Sequence, residues 1–165
     1  MSRAVKFKRN IWIFLVAGLS LLTAGRGKTF LPKGIDLAGS IEVDGYRRTY
    51  ILHFPPTFNR NLFYPLVIAL HGGGGSARAM IKLTEGKFNE LADQEGFIVV
   101  YPNAIRRHWN DGRGLSYYSH RKNINDVKFI SRLIDYLSSR FPIDRRRGLC
   151  YRNIQRSAYV LQARL

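Results

Sequence analysis

Between residues 39 and 140 two kinds of apolar pattern alternate. Short continuous apolar runs, Pro65–Leu70 and Phe97–Tyr101, are bounded by turn residues and predict buried strands. Apolar residues at helical spacing predict two helices. The first covers Lys87–Gln94, with Phe88, Leu91 and Ala92 inward and Gly96 as its stop. The second is capped by Asn125 and carries Asp126 in its first turn. It buries a stripe of Val127, Ile130, Leu133, Ile134 and Leu137 and ends near Arg140, before Pro142. Upstream, Gly39–Asp44 and Tyr46–Phe54 predict a hairpin turned at Asp44-Gly45. Tyr46, Tyr50, Leu52 and Phe54 share one face of its second strand, and Arg48 interrupts that face. Phe58–Tyr64 and His108–Tyr118 read as loops, the latter rich in glycine and aromatic residues. Strand, helix, strand, helix with continuous apolar strands predicts an α/β sheet, parallel in part and covered on both faces.

The Pro65–Leu70 strand runs directly into His71-Gly72-Gly73-Gly74-Gly75-Ser76. Four glycines leave a loop of nearly bare backbone that can take positive φ and approach another group closely. Bare N–H groups at a strand end are what an acyl-transfer site uses to hold a developing oxyanion. The order of strand and then His-Gly-Gly-Gly is that of the oxyanion loop of lipases and esterases. A phosphate loop is the second reading, but the Gly-Lys-Ser/Thr ending is missing. The third is an unremarkable tight turn. His71 is expected to shape the loop rather than move protons. His53, His108 and His120 show no partners in the sequence and are expected at the surface.

Charge narrows the picture. The formal net charge is +16, but residues 1–28 carry six Lys/Arg and no acid, and residues 145–165 carry six Arg and no acid. The 116 residues between them have fifteen basic and eleven acidic side chains. The predicted domain is thus only mildly basic, and no nucleic-acid partner is expected. Arg3, Lys6, Lys8 and Arg9 precede the apolar run Ile11–Ala24, whose fourteen residues are short for a membrane span. Residues 1–25 therefore read as a signal peptide for a secreted or periplasmic product, with small residues for cleavage at Thr23-Ala24-Gly25. A membrane association is expected only if that segment stays uncleaved. Cys150, the single cysteine, forms no internal disulfide and belongs to no metal-ligand cluster.

Several segments then fall into one order. They are Gly39–Tyr50, Pro65–Ser76, Glu95–Pro102, Trp109-Asn110-Asp111-Gly112 and Asn125–Ile130. Together they resemble the secreted polyhydroxybutyrate depolymerase and feruloyl esterase-like family of α/β-hydrolases over residues 39–147. The resemblance implies the N-terminal half of an α/β-hydrolase sheet, incomplete, and a Ser-His-Asp chemistry without metal or organic cofactor. It implies that Gly72, Gly73, Gly74 and Gly75 supply part of an oxyanion hole and that Trp109 lies near the substrate. The partner it implies is an ester polymer or an acylated carbohydrate. Trp109–Gly112 also reads as a turn packed under an indole, and Asp126 reads as a helix-start residue rather than a catalytic acid.

The family pattern places a strand and a Gly-x-Ser-x-Gly elbow after the Asn125–Arg140 helix. The chain has no such motif. Residues 148–165 instead show no strand alternation and no acid. With suitable synonymous codons from Gly148 onward, deletion of the first base yields Val-Tyr-Ala-Thr-Gly-Ile-Ser-Asn-Gly, a strand followed by the missing elbow. A one-base frame change between about Ile143 and Gly148 is therefore expected, and residues 148–165 are expected to form a non-homologous tail. No catalytic residue is assigned, and the chain is expected to be inactive. A non-catalytic fragment that binds a polymer or carbohydrate through Trp109, Tyr117 and Tyr118 is the alternative. Lacking the nucleophile strand, the Pro65–Leu70 and Phe97–Tyr101 region is expected to have an open apolar edge prone to aggregation.

Overall fold

A computed structural model describes residues 32–154 and 157–161, the last of these, from 148 onward, by their backbone alone. The predicted signal segment lies outside the described residues. Strands β1 (Ile35–Val43) and β2 (Tyr46–Phe54) form the expected hairpin. Asp44 and Gly45 both take positive φ, as this tight two-residue turn requires. β1 begins at Ile35, four residues before the predicted start.

The apolar runs become β3 (Tyr64–Leu70) and β4 (Ile98–Pro102). β4 is buried along its whole length, as expected of a strand covered on both faces. Two helices lie between them. α1 (Ala77–Leu83) was not legible in the pattern; Ser76 caps it, accepting the Ala79 N–H at 3.1 Å. α2 (Lys87–Glu95) ends at Gly96 in the left-handed conformation, as its sequence predicts. It packs through Ala92 and Phe88, and Leu91, predicted inward, is exposed. After β4 come a single 3-10 turn at Ile105–Arg107, the short helix α3 (Tyr118–Arg121) and α4 (Asp126–Arg140).

α4 is capped by Asn125 Oδ1, which accepts the Lys128 N–H at 2.8 Å. Its buried stripe is Asp126, Phe129, Leu133, Ile134 and Leu137. Val127, predicted on that stripe, is 80% exposed. The reason is an ion pair: Arg48 on β2 reaches Asp126 at 2.6 Å and draws that face of the helix inward.

β5 (Ile143–Ile154) follows α4 and runs parallel to β3; β6 (Ser157–Leu161) returns antiparallel to it. The sheet order is β1-β2-β4-β3-β5-β6, with β4, β3 and β5 parallel and β1, β2 and β6 antiparallel to their neighbours. This corrects two expectations. Residues 148–154 and 157–161 are strand, although they lack alternation, because a sheet ladder is made by main-chain groups that every non-proline residue carries. For the same reason β3 has no open edge; the sheet ends instead at β1 and β6. The β5 ladder shifts register between Ile143, opposite Tyr64, and Gly148, opposite Leu66.

The larger core lies between the sheet and α4, with Leu52, Leu66, Ile68, Ile98, Val100, Phe129, Leu133 and Leu137. A smaller one lies under α1 and α2 around Val67, Ala69, Met80, Ala92, Val99 and Tyr101. Burying each large aliphatic side chain contributes about 2 kcal/mol.

Candidate functional site

Parallel strands that point the same way deliver their carboxyl ends to one edge of the sheet. Here the glycine turn after β3 meets the loop after β4. His71, buried, is the hinge between them. Its Nδ1 lies 2.7 Å from the Gly72 carbonyl, which can only accept, so Nδ1 carries the proton. Nε2 is left to accept the Ala104 N–H at 3.1 Å. Both ring nitrogens are thus engaged by backbone, and burial lowers the pKa of the imidazole. The His71 carbonyl accepts the Trp109 indole N–H at 2.8 Å. Trp109 is 8% exposed, with its ring between His71 and Phe129. The structure therefore gives Trp109 a place beneath the loop, and His71 the shaping role its position suggested.

The four glycines have separate tasks. The Gly75 N–H closes a turn on the Gly72 carbonyl at 3.0 Å, and the Gly74 N–H donates to the Arg107 carbonyl at 2.9 Å. Gly74 sits at φ +74, and a Cβ on Gly75 would lie 2.9 Å from the Gly72 oxygen. The N–H groups of Gly72 and Gly73 have no acceptor among the described residues. The turn thus retains two neighbouring donors at the carboxyl end of β3, the elementary requirement for receiving an oxyanion.

Asn103, which sequence reasoning passed over, fastens this arrangement. Its Oδ1 accepts the Ala77 N–H at 2.7 Å at the start of α1, and its Nδ2 donates to Thr49 Oγ1 at 3.0 Å on β2. A polar residue directly after a fully apolar strand was the available signal. Asp126 serves the same region. One carboxylate oxygen takes Arg48, and the other accepts the Asn110 N–H at 2.6 Å. The Arg48 guanidinium, 2% exposed, also lies 3.8 Å above the Phe129 ring. Asp126 is therefore a buried tie between α4, β2 and the Trp109 loop as well as a helix-start residue.

The remaining histidines are not bare surface groups. His53 is buried between Asp36 Oδ1 at 2.6 Å and Asp93 Oδ1 at 2.9 Å, near the start of β4 and away from the glycine turn. His108 stacks on Tyr117 at 3.8 Å. His120 Nε2 lies 3.2 Å from Asp111, and its Nδ1 3.4 Å from Ser119 Oγ. Ser119, His120 and Asp111 have the composition of a catalytic triad, but Ser119 is 0% exposed, so no substrate carbonyl reaches it. Distant acids drew His53 inward, whereas His108 and His120 take their partners from the loop they belong to. Among the described residues no group of three or more His, Cys, Asp or Glu is arranged to hold a metal ion.

No protein-family model matches the sequence, and no curated protein does either. Solved structures do match in fold. A ferulic acid esterase superposes with a TM-score of 0.52 at 19% identity, over 72% of this chain and 49% of its own. An S-formylglutathione hydrolase from Agrobacterium tumefaciens gives 0.54 at 16%, over 73% and 49%. A CE1 ferulic acid esterase from Anaeromyces mucronatus, solved with ferulic acid, gives 0.53 at 15%, over 75% and 50%. The chain spans about half the length of these esterases. At such identity the likeness is one of fold: an α/β-hydrolase sheet, matched in part. A dipeptidyl aminopeptidase IV structure from Bacteroides ovatus shares it, over 18% of its own length. One fold can carry different chemistry, so function rests on the site.

Proposed function

We propose that this chain carries the oxyanion-binding part of a serine carboxylic-ester hydrolase site, of the secreted polyhydroxybutyrate depolymerase and feruloyl esterase-like group. The observation that carries the reading is the pair of unengaged N–H groups at Gly72 and Gly73, held at the carboxyl end of β3 by His71, Trp109 and Asn103. Two such donors would stabilise the tetrahedral intermediate of acyl transfer, each contributing about 3 kcal/mol in a complete enzyme. Trp109 supports the turn from below. The acyl compound is an ester polymer or an acylated carbohydrate, met outside the cytoplasm after export directed by residues 1–25.

β5 lies where the resemblance puts the strand that leads to the nucleophile: after α4, parallel to β3. No Gly-x-Ser-x-Gly follows it. A frame change between about Ile143 and Gly148 accounts for this, because suitable synonymous codons from Gly148 onward recover the elbow in the adjacent frame. Without nucleophile and base, the chain retains oxyanion binding and no acyl acceptor, so it does not turn over esters.

The coding DNA is the decisive measurement. Codons from about 143 onward, read in the adjacent frame, encode the Gly-Ile-Ser-Asn-Gly elbow. The in-frame product hydrolyses 4-nitrophenyl butyrate and loses that activity when the elbow serine becomes alanine. Codons without the elbow, or an inert in-frame product, would sink the proposal.

A further inference from the structure

A cleft of about 460 Å3 opens where the β1–β2 hairpin meets the start of α1. None of Gly72–Gly75 lines it, so it stands apart from the oxyanion reading. Its polar side chains are Ser40, Arg47, Thr49, Ser76, Arg78 and Asn103. Ser40 and Thr49 face each other across the hairpin ladder, which places both on one face of the sheet beside Arg47. Its size falls in the range of small-molecule sites.

The hydrogen bonds already made decide what this cleft can still offer. Arg47 Nε donates to Ser40 Oγ at 3.2 Å. Asn103 Nδ2 donates to Thr49 Oγ1 at 3.0 Å, and the Ala79 N–H donates to Ser76 Oγ at 3.1 Å. Each hydroxyl has therefore spent an acceptor site and keeps its O–H to donate. The one side-chain carbonyl, Asn103 Oδ1, is taken by the Ala77 N–H at 2.7 Å. No carboxylate lines the cleft. Glu42 lies opposite Arg47 in the ladder register but makes no ion pair with it. Arg78 is exposed and has no hydrogen bond or ion pair among the described residues. Two uncompensated guanidinium groups and three free hydroxyl protons thus border one cavity. Such a donor set lacks an anion with several acceptor oxygens.

We propose that this cleft binds the phosphate monoester of a small polar molecule, with Arg47 and Arg78 as the residues that hold the phosphate. A phosphate monoester carries close to two negative charges at pH 7 and three acceptor oxygens. It can engage two guanidinium groups and the hydroxyls together, whereas a carboxylate brings one charge and two oxygens. Guanidinium forks match phosphate geometry, and charge-assisted bonds of this kind are about twice as strong as neutral ones. The rest of the cavity takes the organic part of the ligand.

Ligand-observed NMR titration of the full 165-residue chain tests the assignment, with glucose 6-phosphate, glucuronate and glucose as probes. Glucose 6-phosphate binds; glucuronate binds about fivefold more weakly or worse, and glucose more weakly still. Inorganic phosphate displaces the sugar phosphate. Arg78→Gln weakens glucose 6-phosphate about tenfold, and Arg47→Gln does likewise. Arg78 makes no hydrogen bond in the free chain, so its replacement removes only what the ligand uses, and an unchanged thermal midpoint certifies the fold. Arg132→Gln, an exposed cation on α4 that does not line this cleft, leaves the affinity unchanged. Equal binding of glucose 6-phosphate and glucuronate overturns the assignment, as does an unaltered affinity in Arg78→Gln or no displacement by phosphate. An equal loss in Arg132→Gln overturns it as well, since it would mark general attraction of anions to a basic chain.

Discussion

At Asp126, replacing the carboxylate by an amide leaves the Arg48 guanidinium buried without its counter-charge. Breaking such a pair costs about 3–5 kcal/mol, so Asp126→Asn is expected to lower the urea midpoint sharply. Arg48→Met in the same chain removes the orphaned charge and should restore a large part of the loss. Recovery of nothing would show that the Asn110 contact, not the ion pair, carries the effect. His71 gives a pH signature. Its folded pKa is lowered by burial, so its contribution is fully present above the unfolded value of about 6.5. As pH falls below that value the unfolded chain binds the proton more readily, and the contribution is lost. The stability difference between the native chain and His71→Gln should therefore be largest at pH 7–8 and shrink toward pH 5. A constant difference across that range in thermal melts would contradict this. Neither residue's role was visible locally. Arg48 read as an interruption of an apolar face, and only the arrival of α4 over β2 supplied its partner.

The glycine turn makes a graded prediction at the level of the element. Gly73→Ala places its Cβ at ordinary van der Waals distance from His108 and should alter stability by under about 0.5 kcal/mol. Gly74→Ala forces a side chain into the left-handed region and costs about 1 kcal/mol. Gly75→Ala drives a Cβ onto the Gly72 oxygen and the His71 ring and should cost more than either. Thermal midpoints in that order would support the observed division of labour among the four glycines; equal losses would not. The strands, the hairpin turn and α4 were legible because period-two and period-3.6 patterns, caps and turn residues are local signals. α1 was missed because seven residues carry too little periodicity. Val127 was placed inward because a helical stripe has a width, and which edge is buried depends on the partner surface.

For the molecule as a whole, amide hydrogen exchange should be slowest in β3 and β4, which are flanked on both sides, and fastest in β1 and β6. Equal protection of β1 and β4 would argue against the observed strand order. Purified chain should not accelerate the hydrolysis of a small aryl ester; a measurable rate that disappears on deleting Gly72–Gly75 would refute inactivity. The amino-acid sequence by itself determined the strand that feeds the glycine turn, the capping of α4, the α/β class and the absence of a Gly-x-Ser-x-Gly elbow. These follow from patterns within a few residues of one another, where backbone sterics and side-chain spacing act directly. The tertiary structure decided which N–H groups of the turn remain unengaged, which histidines are buried, and that Trp109 lies beneath the loop. It also decided that a segment without strand alternation completes the edge of β3. All of these depend on which distant groups meet, and the pairing of main-chain donors and acceptors across a sheet leaves no trace in the order of side chains.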